Sequence, residues 1–62
     1  MRCIYNSTLE DGTVLYVYRE SVHRYHMIWI TDNGFGFRSY CSRSGIRKFI
    51  KKQFGIEVTL YD

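Results

Sequence analysis

The stretch YHMIWITDNGFGFRSY, residues 25–40, decides the fold. Runs of β-branched and aromatic residues flank Asn33-Gly34, and both members of that pair tolerate the positive φ of a two-residue type I′ hairpin turn. Residues 25–32 then form one strand, and residues 35–42, FGFRSYCS, return beside it. That turn sets Asp32 opposite Phe35, Ile30 opposite Phe37, Trp29 opposite Arg38, Ile28 opposite Ser39, Met27 opposite Tyr40 and His26 opposite Cys41. Gly36, inside the returning strand, marks a bulge or a close approach of backbone.

Upstream, TVLYVYRE (13–20) has the same composition without helical periodicity and reads as another strand, and RCIYN (2–6) as a short first one. Asp11-Gly12 is the turn signal between them. Downstream, Ser42 or Ser44 caps a helix and Gly55 ends it in the left-handed conformation. IEVTLYD (56–62) alternates Ile56, Val58 and Leu60 with Glu57, Thr59 and Tyr61, which predicts a closing strand. The order β-β-β-β-α-β describes one α+β domain over residues 1–62: a small antiparallel sheet of four to five strands with one amphipathic helix packed on one face.

Size limits what such a domain does. With 62 residues, a chain buries roughly 60% of its unfolded surface, and its core contributes a surplus on the order of 3–5 kcal/mol. That leaves no room for a second domain or a deep substrate cavity, which weighs against a conventional enzyme. Six Tyr, four Phe and one Trp give the small core large area per side chain. No apolar segment opens the chain, and the run MIWI falls far short of the ~20 residues of a membrane span. The expectation is a cytoplasmic protein, off the membrane, with Cys3 and Cys41 as free thiols.

Wound at ~100° per residue, residues 46–54 place Ile46, Phe49, Ile50 and Phe54 on one face and Arg47, Lys48, Lys51 and Lys52 on the other. No Asp or Glu lies between Asp32 and Glu57, whereas Arg38, Arg43 and these four cations do. The overall +3 therefore hides a polarised chain. Solubility alone accounts for a lysine-rich helix face, and Lys51 and Lys52 suit the helix dipole. A face tuned only for solubility, however, interleaves acids at i,i+4. The like-charge pairs Arg47/Lys51 and Lys48/Lys52 repel one another, a cost that a polyanion reverses.

The pairing above also sorts the sheet. Ile28, Ile30 and Phe37, joined by Leu15 and Val17, are expected beneath the helix. Tyr25, Met27, Trp29, Arg38 and Tyr40, with Tyr16 and Tyr18 beside them, form the opposite, uncovered face; a slip of one residue exchanges the two. Tyr, Trp, Met and Arg are residues that interfaces favour, so this face is the candidate for dimerisation, for docking on another protein or for base stacking. Well-placed strand tyrosines are the plainer account.

Other chemistry is weakly signalled. His26 opposite Cys41 has the makings of a base–nucleophile pair with Asp32 or another carboxylate as orienter. Cys3, Cys41, His23 and His26 lack metal-ligand spacing. SRSG (42–45) offers helix-start amides and Arg43 to one phosphate, although capping explains it equally. No cofactor motif appears. In length and composition the chain is similar to the short accessory proteins that phages and mobile elements encode. In outline it resembles the three-strand-plus-helix DNA-binding domains, in which the sheet enters the groove, whereas here the charge sits on the helix. The expectation is a non-enzymatic binding module, without metal or cofactor, whose Arg43, Arg47, Lys48, Lys51 and Lys52 contact nucleic acid. The alternative is an inhibitor or adaptor that blocks a nucleic-acid-processing protein or defence complex.

Overall fold

The computed structural model describes residues 1–61. Strands β1 (Arg2–Thr8), β2 (Val14–Ser21), β3 (Arg24–Thr31) and β4 (Gly34–Tyr40) precede a single helix, α1 (Arg43–Phe54). The strands form one antiparallel sheet in chain order, β1-β2-β3-β4. The α+β layout of four strands followed by a helix is thus the one the sequence predicts.

The β3–β4 turn sits one residue earlier than expected. Thr31 pairs with Gly34, so the two-residue loop is Asp32-Asn33. Among the described residues no non-glycine has positive φ, while Gly34 has φ 136°. Asn33 thus declines the conformation a type I′ turn centred on Asn33-Gly34 demands of it, and Gly34 alone takes the positive φ, at the start of β4. The Thr31 hydroxyl stitches the loop, accepting from Asn33 N at 3.2 Å and donating to Gly34 O at 3.2 Å. Partners shift by two residues: Ile30 faces Phe35, Ile28 faces Phe37, Met27 faces Arg38 and His26 faces Ser39. A shift of two leaves every side chain on its own face.

A bulge between β2 and β3 does change faces. Ser21 pairs with Arg24, but beyond Glu20 the register slips, and Arg19 pairs with Tyr25, Val17 with Met27 and Leu15 with Trp29. Without that extra residue Leu15 would meet Ile30 and Val17 would meet Ile28. With it, Leu15 and Val17 change allegiance and join Tyr25, Met27 and Trp29. This is the apolar face that α1 covers, so Leu15 and Val17 lie beneath the helix as expected, while the β3 and β4 residues expected on the covered and open faces are exchanged.

The core is Leu15, Val17, Tyr25 and Met27 from the sheet, Ile46 and Ile50 from α1, and Val58 and Leu60 from the C-terminal segment. Helix α1 lies over β3 and β4. Its amphipathic spacing, its N-cap Ser42 accepting from Gly45 N at 3.2 Å, and the C-cap Gly55 N–H bonding Lys51 O at 2.9 Å define it at both ends. Trp29 tilts against Phe49 (5.3 Å between centroids) and meets Phe54 edge-on (6.0 Å). Gly36 makes this possible: a Cβ there would fall inside the envelope of Trp29 Cζ2 and Cε2.

The expected closing strand does not form. Residues 56–61 join no ladder, and Asp62 lies outside the described residues. The predicted alternation survives, with Val58 and Leu60 buried and Glu57, Thr59 and Tyr61 exposed. Arg47 Nε donates to Val58 O at 3.1 Å, so the segment is strapped to the helix rather than to a strand edge, and its apolar side chains complete the core beside α1.

Candidate interaction surfaces

Burial of Ile46 and Ile50 fixes the roll of α1, and Arg43, Arg47, Lys48, Lys51 and Lys52 are all exposed on its outer side. No acid occupies its first turn. The structure does, however, divide the cations. Lys51 Nζ pairs with Glu57 Oε1 at 2.5 Å, and Arg47 reaches the Val58 carbonyl. The Lys51 hydrogen bond, then its charge, with a smaller contribution from Arg47, hold the Glu57 carboxyl below its ordinary range. Lys48 and Lys52 have no ion-pair partner among the described residues. A shallow cleft of about 270 Å³ runs between helix and strap, lined by Ser44, Arg47, Lys48, Lys51, Glu57 and Val58. Arg38 adds charge on the same side of the molecule, its guanidinium 5.2 Å above the Phe49 ring.

Ser42, the one serine before the helix in SRSG, is occupied by capping. Ser42 Oγ serves Gly45 N and lies 3.2 Å from Ser44 Oγ.

Of the residues expected on an open aromatic face, Tyr16 and Tyr18 are there and the other five are not. Tyr25 and Met27 are buried in the core, and Trp29 and Tyr40 are half-buried against Phe49. Arg38 rests on that same ring. The Glu20 bulge is the physical reason, because it gives this face the Leu15 and Val17 side chains that anchor the helix.

The face left open carries Val14, Tyr16 and Tyr18 from β2, His26, Ile28 and Ile30 from β3, and Phe35, Phe37 and Ser39 from β4. Exposure reaches 45% at Ile30, 53% at Phe37 and 78% at Phe35, an apolar concentration of the kind that marks contact surfaces. Tyr16 and Tyr18 stack at 6.3 Å.

His26 is buried in this face, its ring stacked on Phe37 at 5.7 Å. Its Nε2 lies 2.8 Å from Glu20 Oε1 and its Nδ1 2.7 Å from Ser39 Oγ. A carboxylate only accepts, so for a neutral ring Nε2–H donates to Glu20 and Nδ1 accepts from the Ser39 hydroxyl. Hydroxyl, imidazole and carboxylate stand in line, but the arrangement also satisfies every polar atom of a histidine sunk in an apolar surface. The expected His26–Cys41 pair is absent because Ser39 takes that place, and Cys41 follows the end of β4. Nothing in the sequence pointed to Glu20; only the bulge aims it at His26.

Among the described residues no cluster of three or more His, Cys, Asp or Glu forms, so Cys3, Cys41, His23 and His26 are not brought together. No helix among them is long and apolar enough to cross a membrane. Comparison with protein-family models, with curated proteins and with solved structures finds no match.

Proposed function

We propose that the chain is a small cytoplasmic binding module, acting by contact and not by chemistry, with two working surfaces on opposite sides. Lys48 and Lys52, supported by Arg43, Arg47 and Lys51, meet a polyanion, and nucleic acid is the polyanion this spacing suits. The sheet face of Ile28, Ile30, Phe35 and Phe37, with Tyr16 and Tyr18, docks protein.

One observation carries the first half: burial of Ile46 and Ile50 holds the cations of α1 outward, and Lys48 and Lys52 have no ion-pair partner among the described residues. Phosphates then replace water around the ammonium groups of Lys48 and Lys52, and counterion release drives binding. In a salt titration with duplex and single-stranded oligonucleotides, three to four contacts predict log K falling against log salt with a slope of about −3 on duplex DNA. Lys48→Glu with Lys52→Glu should abolish that binding at an unchanged circular dichroism spectrum. Retained affinity in the double variant would sink the polyanion reading.

A second reading is favoured by the open face itself. Its exposed Phe35, Phe37 and Ile30 are apolar where a nucleic-acid-binding sheet would carry charge. On this reading the chain is an inhibitor or adaptor whose sheet seats on a nucleic-acid-handling protein. Failure of oligonucleotide binding, with loss of partner capture on Phe37→Asp, separates it from the first.

A further inference from the structure

We infer that the open sheet face is a homodimer interface, two copies stacking face to face into a sandwich of two four-stranded sheets with both cationic helices on the outside. This rests on the reading of that face as a protein-docking surface and names its occupant.

Charge is the first argument. Each chain carries +3, so most of its surfaces repel a second copy. The open face is the exception: its charged groups, Glu20 and Arg24, lie together at one end, 3.9 Å apart, with Glu20 also serving His26. The rows Val14–Ile30–Phe35 and Tyr16–Ile28–Phe37 contain no charge. Helix α1, which holds most of the excess, is on the far side of the sheet from this face.

Shape is the second. Tyr16 and Tyr18 are half-buried and stacked on the β2 flank, whereas Phe35 and Phe37 stand proud on β4. A two-fold axis running along β3 between the sheets sets the high flank of one copy over the low flank of the other. Tyr16 then meets the second copy's Phe37, Val14 meets Phe35, and Ile28 meets Ile28. Such isologous contact is the commonest route to a closed dimer, and aligned sheets pack about 10 Å apart.

Area is the third. With the axis along β3, three strands of seven to eight residues overlap in a face of about 14 Å by 24 Å, so a pair buries about 700 Å² of flat sheet before the standing phenyl rings are counted. Those rings bring the total to the ~1,000 Å² at which specific interfaces begin. A dimer with Kd on the order of micromolar is the expectation.

Sedimentation equilibrium tests it. The wild-type protein should move from the 7.5 kDa of one chain to twice that mass across the micromolar range, and Phe37→Asp should raise Kd by ~100-fold or more while circular dichroism shows a folded chain. Independently, in a Cys3→Ser, Cys41→Ser background, a short bis-maleimide should join two Ile28→Cys chains and not two Thr59→Cys chains. A wild-type monomer throughout that range, a dimer of undiminished affinity with Asp at position 37, or equal cross-linking at both cysteine sites would each overturn the inference. Oligonucleotide binding by the Phe37→Asp monomer is scored separately: if dimerisation fails and that binding persists, the inference falls and the ridge reading stands.

Discussion

Replacing Gly36 by alanine tests the packing on which the helix's seat depends. The added methyl group enters the space of the Trp29 indole, which packs against Gly36. Trp29 cannot simply swing away, because Phe49 and Phe54 pack against it at 5.3 and 6.0 Å. Overpacking costs about 1–3 kcal/mol, and weakening two aromatic contacts about 0.5–1.5 kcal/mol each. Alanine's smaller loss of backbone freedom offsets about 0.5–1 kcal/mol. The net is about 3 kcal/mol, most of the ~3–5 kcal/mol a core of this size supplies. For a domain of this length Tm should fall by about 12–24 °C. Circular dichroism melts measure this directly, and Trp29, the one tryptophan of the chain, should shift its emission to the red. An unchanged Tm with unchanged emission would show that the indole does not rest on Gly36, and the account of the aromatic layer would fail with it.

Ser42→Ala removes the acceptor for Gly45 N and should destabilise the protein by about 1 kcal/mol in urea unfolding. Ile50→Ala, at a side chain with no solvent exposure, should cost about 2–5 kcal/mol and leave much of the protein unfolded at 25 °C by circular dichroism. Glu57, with its depressed pKa, contributes stability above its unfolded-state pKa and loses it as pH falls through the folded value; being fully exposed, the pair moves acid unfolding little. Its effect should show in binding instead: protonating Glu57 releases Lys51, so oligonucleotide affinity rises toward acid pH. Glu57→Gln should show at neutral pH both that higher affinity and a salt slope steeper by up to about one contact. A Glu57→Gln variant with wild-type affinity and pH profile would refute this.

Local chemistry made the four strands, the helix and its caps legible. Asn33-Gly34 gave away the hairpin within one residue, and Ile46, Phe49, Ile50 and Phe54 announced the buried stripe by their spacing. The outward set of the cations followed from that stripe alone. Two things were out of reach. The Glu20 bulge is a single extra residue with no glycine or proline to signal it, yet it reverses which half of β3 and β4 lies with Leu15 and Val17 under the helix. The closing strand failed for the complementary reason: alternation reports which side chains are buried, and Val58 and Leu60 are, but it carries no information about whether the backbone finds a ladder. Arg47 decided that by taking the Val58 carbonyl. Glu57 became Lys51's counter-ion as a result, a pairing six residues apart that no helical spacing suggests.

The slip between Cys3 and Tyr5 in the β1–β2 ladder has a consequence for how copies of this chain can grow. A four-stranded meander has two lateral borders, each a template for adding strands without limit. Along β1 the slip breaks the regular spacing a foreign strand would have to copy. Along β4, Gly34 and Gly36 weaken the backbone's hold on an extended form and Arg38 adds charge. Lateral polymerisation is discouraged at both margins, so the face-to-face pairing we propose, perpendicular to the sheet, would close at two.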